Sequence, residues 1–139
     1  MWSSAQIDFS RRVSPRELPE LMDGDCSYED FRDCLRSLET VNRWLLGYRP
    51  TLAWLERLSC GLRDPVHIVD VGSGGGDLLR QIAGWARRRG IAVQLTGIDL
   101  NPYAARAAGE STPKELEIEW VTGDALEYRS KKPVDIVVS

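Results

Sequence analysis

Val69 to Leu79 read VDVGSGGGDLL, an apolar run that breaks into four glycines within five positions and then resumes as a helical pattern. Glycine weakens helix and strand alike, so a cluster of this kind belongs where the backbone must bend or be approached closely. Upstream, VHIVDV (Val66 to Val71) is short and apolar, which suits a buried strand. Downstream, Leu78, Leu79, Ile82, Ala83 and Ala86 share one helical face. Arg87, Arg88 and Arg89 close that helix before Gly90, where cations complement the helix dipole. Strand, bend and helix form one unit whose helix N-terminus presents free N–H groups to the bend. One glycine suffices for a tight turn; four argue for a ligand lying against the backbone.

The pattern then repeats. IAVQLTGID is a second strand, and NPYAARAAG a short helix with Asn101 as N-cap, Pro102 at its first position and Gly109 as its stop. LEIEWV and VDIVVS are a third and a fourth strand. Strands alternating with helices predict an α/β fold with a parallel sheet and right-handed crossovers. VHIVDV and VDIVVS are nearly continuous apolar runs, as expected of strands covered on both faces. LEIEWV alternates Leu116, Ile118 and Trp120 with Glu115, Glu117 and Glu119, which suits an edge. The predicted strand order is 3-2-1-4, with the switch point between the first strand and the fourth.

Two helices precede the sheet. In SYEDFRDCLRSLETVNRWLLG, Ser27 and Asp30 form an N-cap signal, and Tyr28, Phe31, Leu35, Leu38, Val41 and Leu45 form a stripe that Gly47 is placed to end. TLAWLERLSCG carries Leu52, Leu55 and Leu58 before Gly61. Both stripes are expected to pack on the core. The predicted divisions are a polar arm over 1–25, a helical lead-in over 26–62, and a sheet domain over 63–139.

The spacing is Gly72-x-Gly74-x-Gly76, and the dinucleotide-binding fingerprint would place its last glycine at 77, where this chain has Asp77. A carboxylate there repels a pyrophosphate, which counts against the alternative of a nicotinamide-dependent oxidoreductase. Asp70 adds a second acid before the bend, so a ligand with a cationic end fits better. Asp99 ends the second strand, where a carboxylate can accept from both ribose hydroxyls. Asp124, after the third strand in VTGDALE, reads alone as a turn residue. Taken with the other acids on the same rim, it reads as part of the site.

Composition excludes more than it assigns. A net charge of −3 and 28% charged residues give no reason to expect a nucleic-acid or membrane partner. No apolar run approaches the roughly 18–20 residues of a bilayer span, and MWSSAQIDFSRR is not expected to be a signal peptide. Cys26, Cys34 and Cys60 fit free thiols in a reducing cytoplasm, and with the lone His67 they match no zinc-ligand spacing, so no metal site is expected.

VDVGSGGGDL, LTGIDLNPYA, WVTGDALE and VDIVVS, in that order from about Val66 to Ser139, resemble the successive motifs of class I S-adenosylmethionine-dependent methyltransferases. The resemblance implies a Rossmann-like cofactor-binding domain with S-adenosyl-L-methionine as cofactor and a small-molecule acceptor. It implies that Asp70 and the loop of Gly72, Ser73, Gly74 and Gly76 hold the methionine part. Asp99 would then take the ribose hydroxyls, Leu100 would pack on the adenine, and Asp124 with Ala125 would bind its edge. The lead-in is similar to the N-terminal helices that cover the cofactor in small-molecule members, and SYEDFRDCLRSLETVNRWLLGYRP weakly resembles bacterial quinone and polyketide methyltransferases. No catalytic residue is identified, since no Ser–His pairing exists and His67 sits inside a strand.

The chain departs from the family pattern by stopping at the fourth strand. The expectation is a truncated member with weak or partial cofactor affinity and little methyl transfer. Its fourth strand, an exposed apolar edge, would recruit a second copy by edge pairing or by exchange of elements. A non-catalytic fragment that self-associates is the remaining alternative.

Overall fold

The computed structural model describes residues 26–61 and 64–139, so the expected arm over 1–25 lies outside the described residues. Helix α1 (Tyr28–Trp44) starts where expected, with the Ser27 hydroxyl accepting from the Asp30 N–H at 3.2 Å. Its end differs from the expectation. The helix closes at Trp44, Leu46 takes a left-handed φ of 57°, and the Gly47 N–H donates to the Asn42 carbonyl at 2.8 Å. This is a Schellman-type ending with leucine, not glycine, in the left-handed position and the glycine one residue later. Helix α2 (Arg49–Leu58) follows, with Pro50 in its first turn, and runs into a single 3₁₀ turn, Ser59–Gly61.

The sheet comprises β1 (Val66–Val71), β2 (Val93–Asp99), β3 (Ile118–Thr122) and β4 (Ile136–Val138), joined through α3 (Asp77–Arg89) and α4 (Pro102–Ser111). Every pairing is parallel and the order is β3-β2-β1-β4, as the alternation of LEIEWV predicts. Asp70 pairs in register with Gly97 and Val138, and Asp99 with Thr122. The carboxyl ends of the strands therefore form one rim.

Gly109 does not stop α4, which continues to Ser111. The stop is Thr112, held extended at φ −97° and ψ 124° because Pro113 follows it. One interior glycine costs a helix only about 1 kcal/mol, so Gly109 could not end it alone.

The core gathers Leu55 of α2, Val66 and Ile68 of β1, Leu79 and Ile82 of α3, Leu95 of β2 and Ile136 of β4. Trp85 joins it although it lies off the expected face, because its indole N–H donates to Glu56 Oε2 at 2.9 Å. Glu56 also pairs with Arg89, which ties α2 to the end of α3.

A second cluster unites Tyr28, Phe31 and Leu35 of α1 with Ala104 and Ala107 of α4. Tyr103 stands edge-on to Tyr28 and Phe31, with ring centroids 5.5 and 5.9 Å away. The rest of the α1 stripe is not core: Leu38, Val41 and Leu45 are exposed, as is neighbouring Trp44 at 82%. Helix α1 runs from α4 across the glycine bend toward the start of α3, so only its first half meets apolar partners.

β4 is likewise covered on one face only, with Ile136 buried and Val137 exposed. Among the described residues no strand pairs with its outer edge. His67 is a buried strand residue, its Nδ1 at 3.2 Å from the Pro133 carbonyl and its Nε2 at 3.2 Å from the Thr96 hydroxyl.

Candidate functional site

The bend is built by backbone hydrogen bonds. The N–H groups of Gly72 and Ser73 both donate to the Ile98 carbonyl, at 2.8 and 3.0 Å, which pins the loop to β2. The Gly76 N–H closes back on the Ser73 carbonyl at 2.8 Å. Gly72 and Gly76 hold left-handed φ values of 74° and 72°, which side chains rarely adopt.

Their surroundings differ. A Cβ at Gly72 would meet open space, whereas one at Gly76 would collide with the Trp120 indole, which would also collide with one at Gly97. Gly76 is therefore buried against its own protein and does not face the cleft. From the other side, Leu35 of α1 sits against Gly74 and Gly75. Among the described residues the Gly75 N–H has no hydrogen-bond partner.

Three carboxylates surround this loop. Asp70 is only 4% exposed and lines a hollow beside Tyr48 and Leu78. Burial, then the nearby charges of Asp77 and Asp99, push its carboxyl up to about 7. Asp99 accepts from the Gly74 N–H through Oδ2 and from the Asn101 N–H through Oδ1, each at 2.9 Å, and each oxygen retains a lone pair. Asp77, the first residue of α3, accepts from the Tyr48 hydroxyl at 2.6 Å and the Asn42 amide at 3.3 Å. Burial and that bond to Asp77 hold the Tyr48 phenol above its ordinary range.

Two hollows flank the loop and share Asn42, Gly72, Ser73 and Asp77. One, of about 350 Å³, runs under α1 past Phe31, Leu35 and Leu38 to Asp99 and Asn101. The other, of about 230 Å³, opens beside Asp70, Tyr48 and Leu78 toward the end of β4. A larger space of about 640 Å³ lies along the outer face of α1, beside Arg36, Arg43 and Trp44, and touches no loop residue.

Of the residues singled out in the sequence, Asp70, Gly72, Ser73, Gly74 and Asp99 converge on these hollows. Leu100, at 74% exposed, Asp124 and Ala125 line neither and lie on the rim beyond. The Gly123 N–H donates to the Asp99 carbonyl at 2.9 Å, which brings the end of β3 to the end of β2. Asp124 Oδ1 accepts from the Leu126 N–H at 2.8 Å, the local turn bond its type favours.

Sequence reasoning missed Glu39, Asn42, Tyr48 and Arg80, which tie the lead-in to the loop. Only Arg80 carried a signal, a cation in the opening turns of a helix where the dipole disfavours it. Among the described residues no group of three or more His, Cys, Asp or Glu could hold a metal ion, and no helix is long and apolar enough to cross a membrane.

Against known proteins, a family model described as a methyltransferase domain matches residues 68–139, just over half of the chain. Among curated proteins there is no match. A structure from Listeria monocytogenes described as a class I S-adenosylmethionine-dependent methyltransferase superposes with a TM-score of 0.59 at 18% identity, covering 81% of this chain and 39% of that one. The plantazolicin methyltransferase BpumL in complex with SAH gives 0.54 at 24% identity, covering 84% and 42%. At these identities the likeness is one of fold, and the chain spans about two-fifths of the length of either structure.

Proposed function

Because the chain belongs to the methyltransferase-domain family, we propose that its glycine-loop cleft binds S-adenosylmethionine and that the whole protein methylates a small molecule. The observation that carries this reading is the buried Asp70 beside an open glycine backbone, with Asp77 and Asp99 close by. That set of carboxylate acceptors suits a ligand carrying positive charge and ribose hydroxyls, and it suits a pyrophosphate badly. Asp77 stands at the helix N-terminus where a dinucleotide would place its phosphates.

In this reading Asp70, Gly72, Ser73 and Gly74 face the methionine end, and the Gly75 N–H adds a donor. Asp99 takes the ribose hydroxyls with its remaining lone pairs. Leu100, Asp124 and Ala125 supply the adenine side from the rim, and Gly76 contributes by shaping the loop over Trp120. When bound, the cofactor supplies a methyl group already activated on a sulfonium. The chain's task is to hold the ligand, aim it and exclude water.

Helix α1 crossing the loop narrows the cleft, which favours a small acceptor over a macromolecule. The acceptor would approach from the hollow beside Tyr48 and Leu78. For the 139 residues alone we propose cofactor binding with little transfer, and association of two copies through the open edge of β4 or by exchange of elements. The thiols of Cys26 and Cys34 are free, which fits the reducing cytoplasm.

Isothermal titration calorimetry with S-adenosylhomocysteine tests the central claim. Saturable one-site binding, with no competition from NAD, supports it; absence of heat and of any thermal shift at millimolar ligand refutes it.

A further inference from the structure

Arg80 joins three parts of the molecule. It projects from α3, donates through Nη1 to the Gly75 carbonyl at 2.6 Å, and pairs through Nη2 with Glu39 Oε2 of α1 at 2.8 Å. Its side chain is 12% exposed and that of Glu39 is 39%. The contact to Gly75 ties down a loop residue whose N–H has no partner among the described residues. A peptide unit is planar, so holding the carbonyl of Gly75 restrains the Gly75–Gly76 peptide and, through it, the direction of its neighbours.

Leu35 packs on the same two glycines, and Asn42 and Tyr48 hold Asp77 one residue beyond the loop. The contacts of Leu35, Asn42 and Tyr48 originate in the lead-in, and Glu39 of the lead-in holds Arg80 of α3. A glycine-rich backbone without them has more conformations to lose when a ligand arrives.

We infer that Arg80, oriented by Glu39, is a positioning residue for the glycine loop, so that docking of α1 and readiness of the loop to take a ligand are one equilibrium. The inference rests on the cofactor-binding reading only for its ligand arm. Its other arm concerns the ligand-free protein. Arginine is required because one planar fork serves two acceptors at once; a lysine ammonium in the same place cannot hold both in fixed directions.

Hydrogen exchange on the full 139-residue chain without ligand is the first measurement. In Glu39→Ala and Arg80→Lys, exchange at the Gly74 and Gly76 amides should rise about tenfold while the β1 amides stay protected. The swap Glu39→Arg with Arg80→Glu separates positioning from simple stabilisation. It restores an ion pair between α1 and α3, but glutamate cannot donate to the Gly75 carbonyl. The swap should therefore recover part of the melting temperature and none of the loop protection.

S-adenosylhomocysteine affinity should fall about five- to tenfold in all three proteins, a modest loss because Glu39 is partly in water. Glu39→Gln, which still offers Arg80 an acceptor, should retain most of the affinity. Unchanged loop exchange in Glu39→Ala and Arg80→Lys overturns the inference, as does recovery of loop protection in the swap. Failure of the unaltered protein to bind S-adenosylhomocysteine would instead count against the cofactor reading and leave the exchange result to decide this one.

Discussion

Replacing Asp70 by asparagine should stabilise the ligand-free protein while weakening its ligand binding. The residue is 4% exposed, and burial, then its acidic neighbours Asp77 and Asp99, raise the pKa of its carboxyl from 3.8 to about 7. Between those values the unfolded chain has released this proton and the folded protein keeps it. Stability therefore falls as pH rises across that window, at about 1.4 kcal/mol per pH unit, and levels off above pH 7. The whole window amounts to a penalty on the order of 4 kcal/mol. Asparagine has no charge to desolvate. Urea unfolding of both proteins at steps from pH 4 to 8 should show a stability difference that widens with pH in favour of the variant. A difference that stays level from pH 4 to 8 refutes the picture of a buried, poorly compensated carboxylate. At pH 8 the variant should also bind S-adenosylhomocysteine about tenfold more weakly, having lost a charge-assisted partner for the ligand's ammonium group. Stability and binding would then move in opposite directions, as expected of a group kept for function.

Gly76→Ala combines a left-handed backbone with a clash against Trp120 and should cost about 3–5 kcal/mol in chemical denaturation. Gly72→Ala, with the same φ but open space before it, should cost only about 1–2 kcal/mol yet lower ligand affinity in calorimetry. Equal destabilisation by the two would contradict the packing described. Tyr48→Phe removes the hydroxyl that donates to Asp77 and should lower stability by about 1–2 kcal/mol in thermal or urea melts, an outcome that a silent substitution would refute. Val137→Lys places a charge on the exposed face of β4 and should shift the chain toward monomer in sedimentation velocity, where unaltered self-association would exclude that edge as the interface.

The sheet order was legible because β1 and β3 carried their environment in their composition, whereas β4, an apolar run expected to be covered on both faces, leaves Val137 exposed. The acid-studded alternation of LEIEWV marked an edge, and the apolar VHIVDV marked a centre, and the strand order follows from those two observations. Helix ends were harder to read. Gly47 and Gly109 looked like stops, yet Leu46 took the left-handed turn and Pro113 ended α4 through its effect on Thr112. Glycine permits a stop without imposing one, whereas proline restricts its predecessor by direct collision. The stripe on α1 misled for a different reason. Periodicity reports an apolar face but not what covers it, and Val41 and Leu45 lie past the end of the α4 surface that buries Phe31. Within the site, Asp70 and Asp99 were readable from their places at strand ends. Glu39, Asn42 and Tyr48 were not, because their partners Arg80 and Asp77 lie tens of residues away and nothing local hints at the pairing.

The glycine cluster itself answers to more demands than a simple count suggests. Four glycines in five positions suggested a ligand pressed along the whole bend, but they answer to different demands. Gly76 makes room for the Trp120 indole from the sheet side, and Gly97 in β2 is bare for the same reason. Gly74 and Gly75 lie beneath Leu35, and the Gly74 amide is already committed to Asp99. Gly72 alone has both a left-handed backbone and empty space where a side chain would stand. The loop is thus gripped from below by β3 and from above by α1, and on the proposed reading its ligand-facing part is the short arc between Gly72 and the Gly75 N–H, which has no partner among the described residues. A bend so closely held cannot reshape itself around an arbitrary guest. Ligand selectivity then falls to the groups fixed along that arc, chiefly the carboxylates of Asp70 and Asp99, and those are the positions where substitution should change what is bound before it changes whether the chain folds.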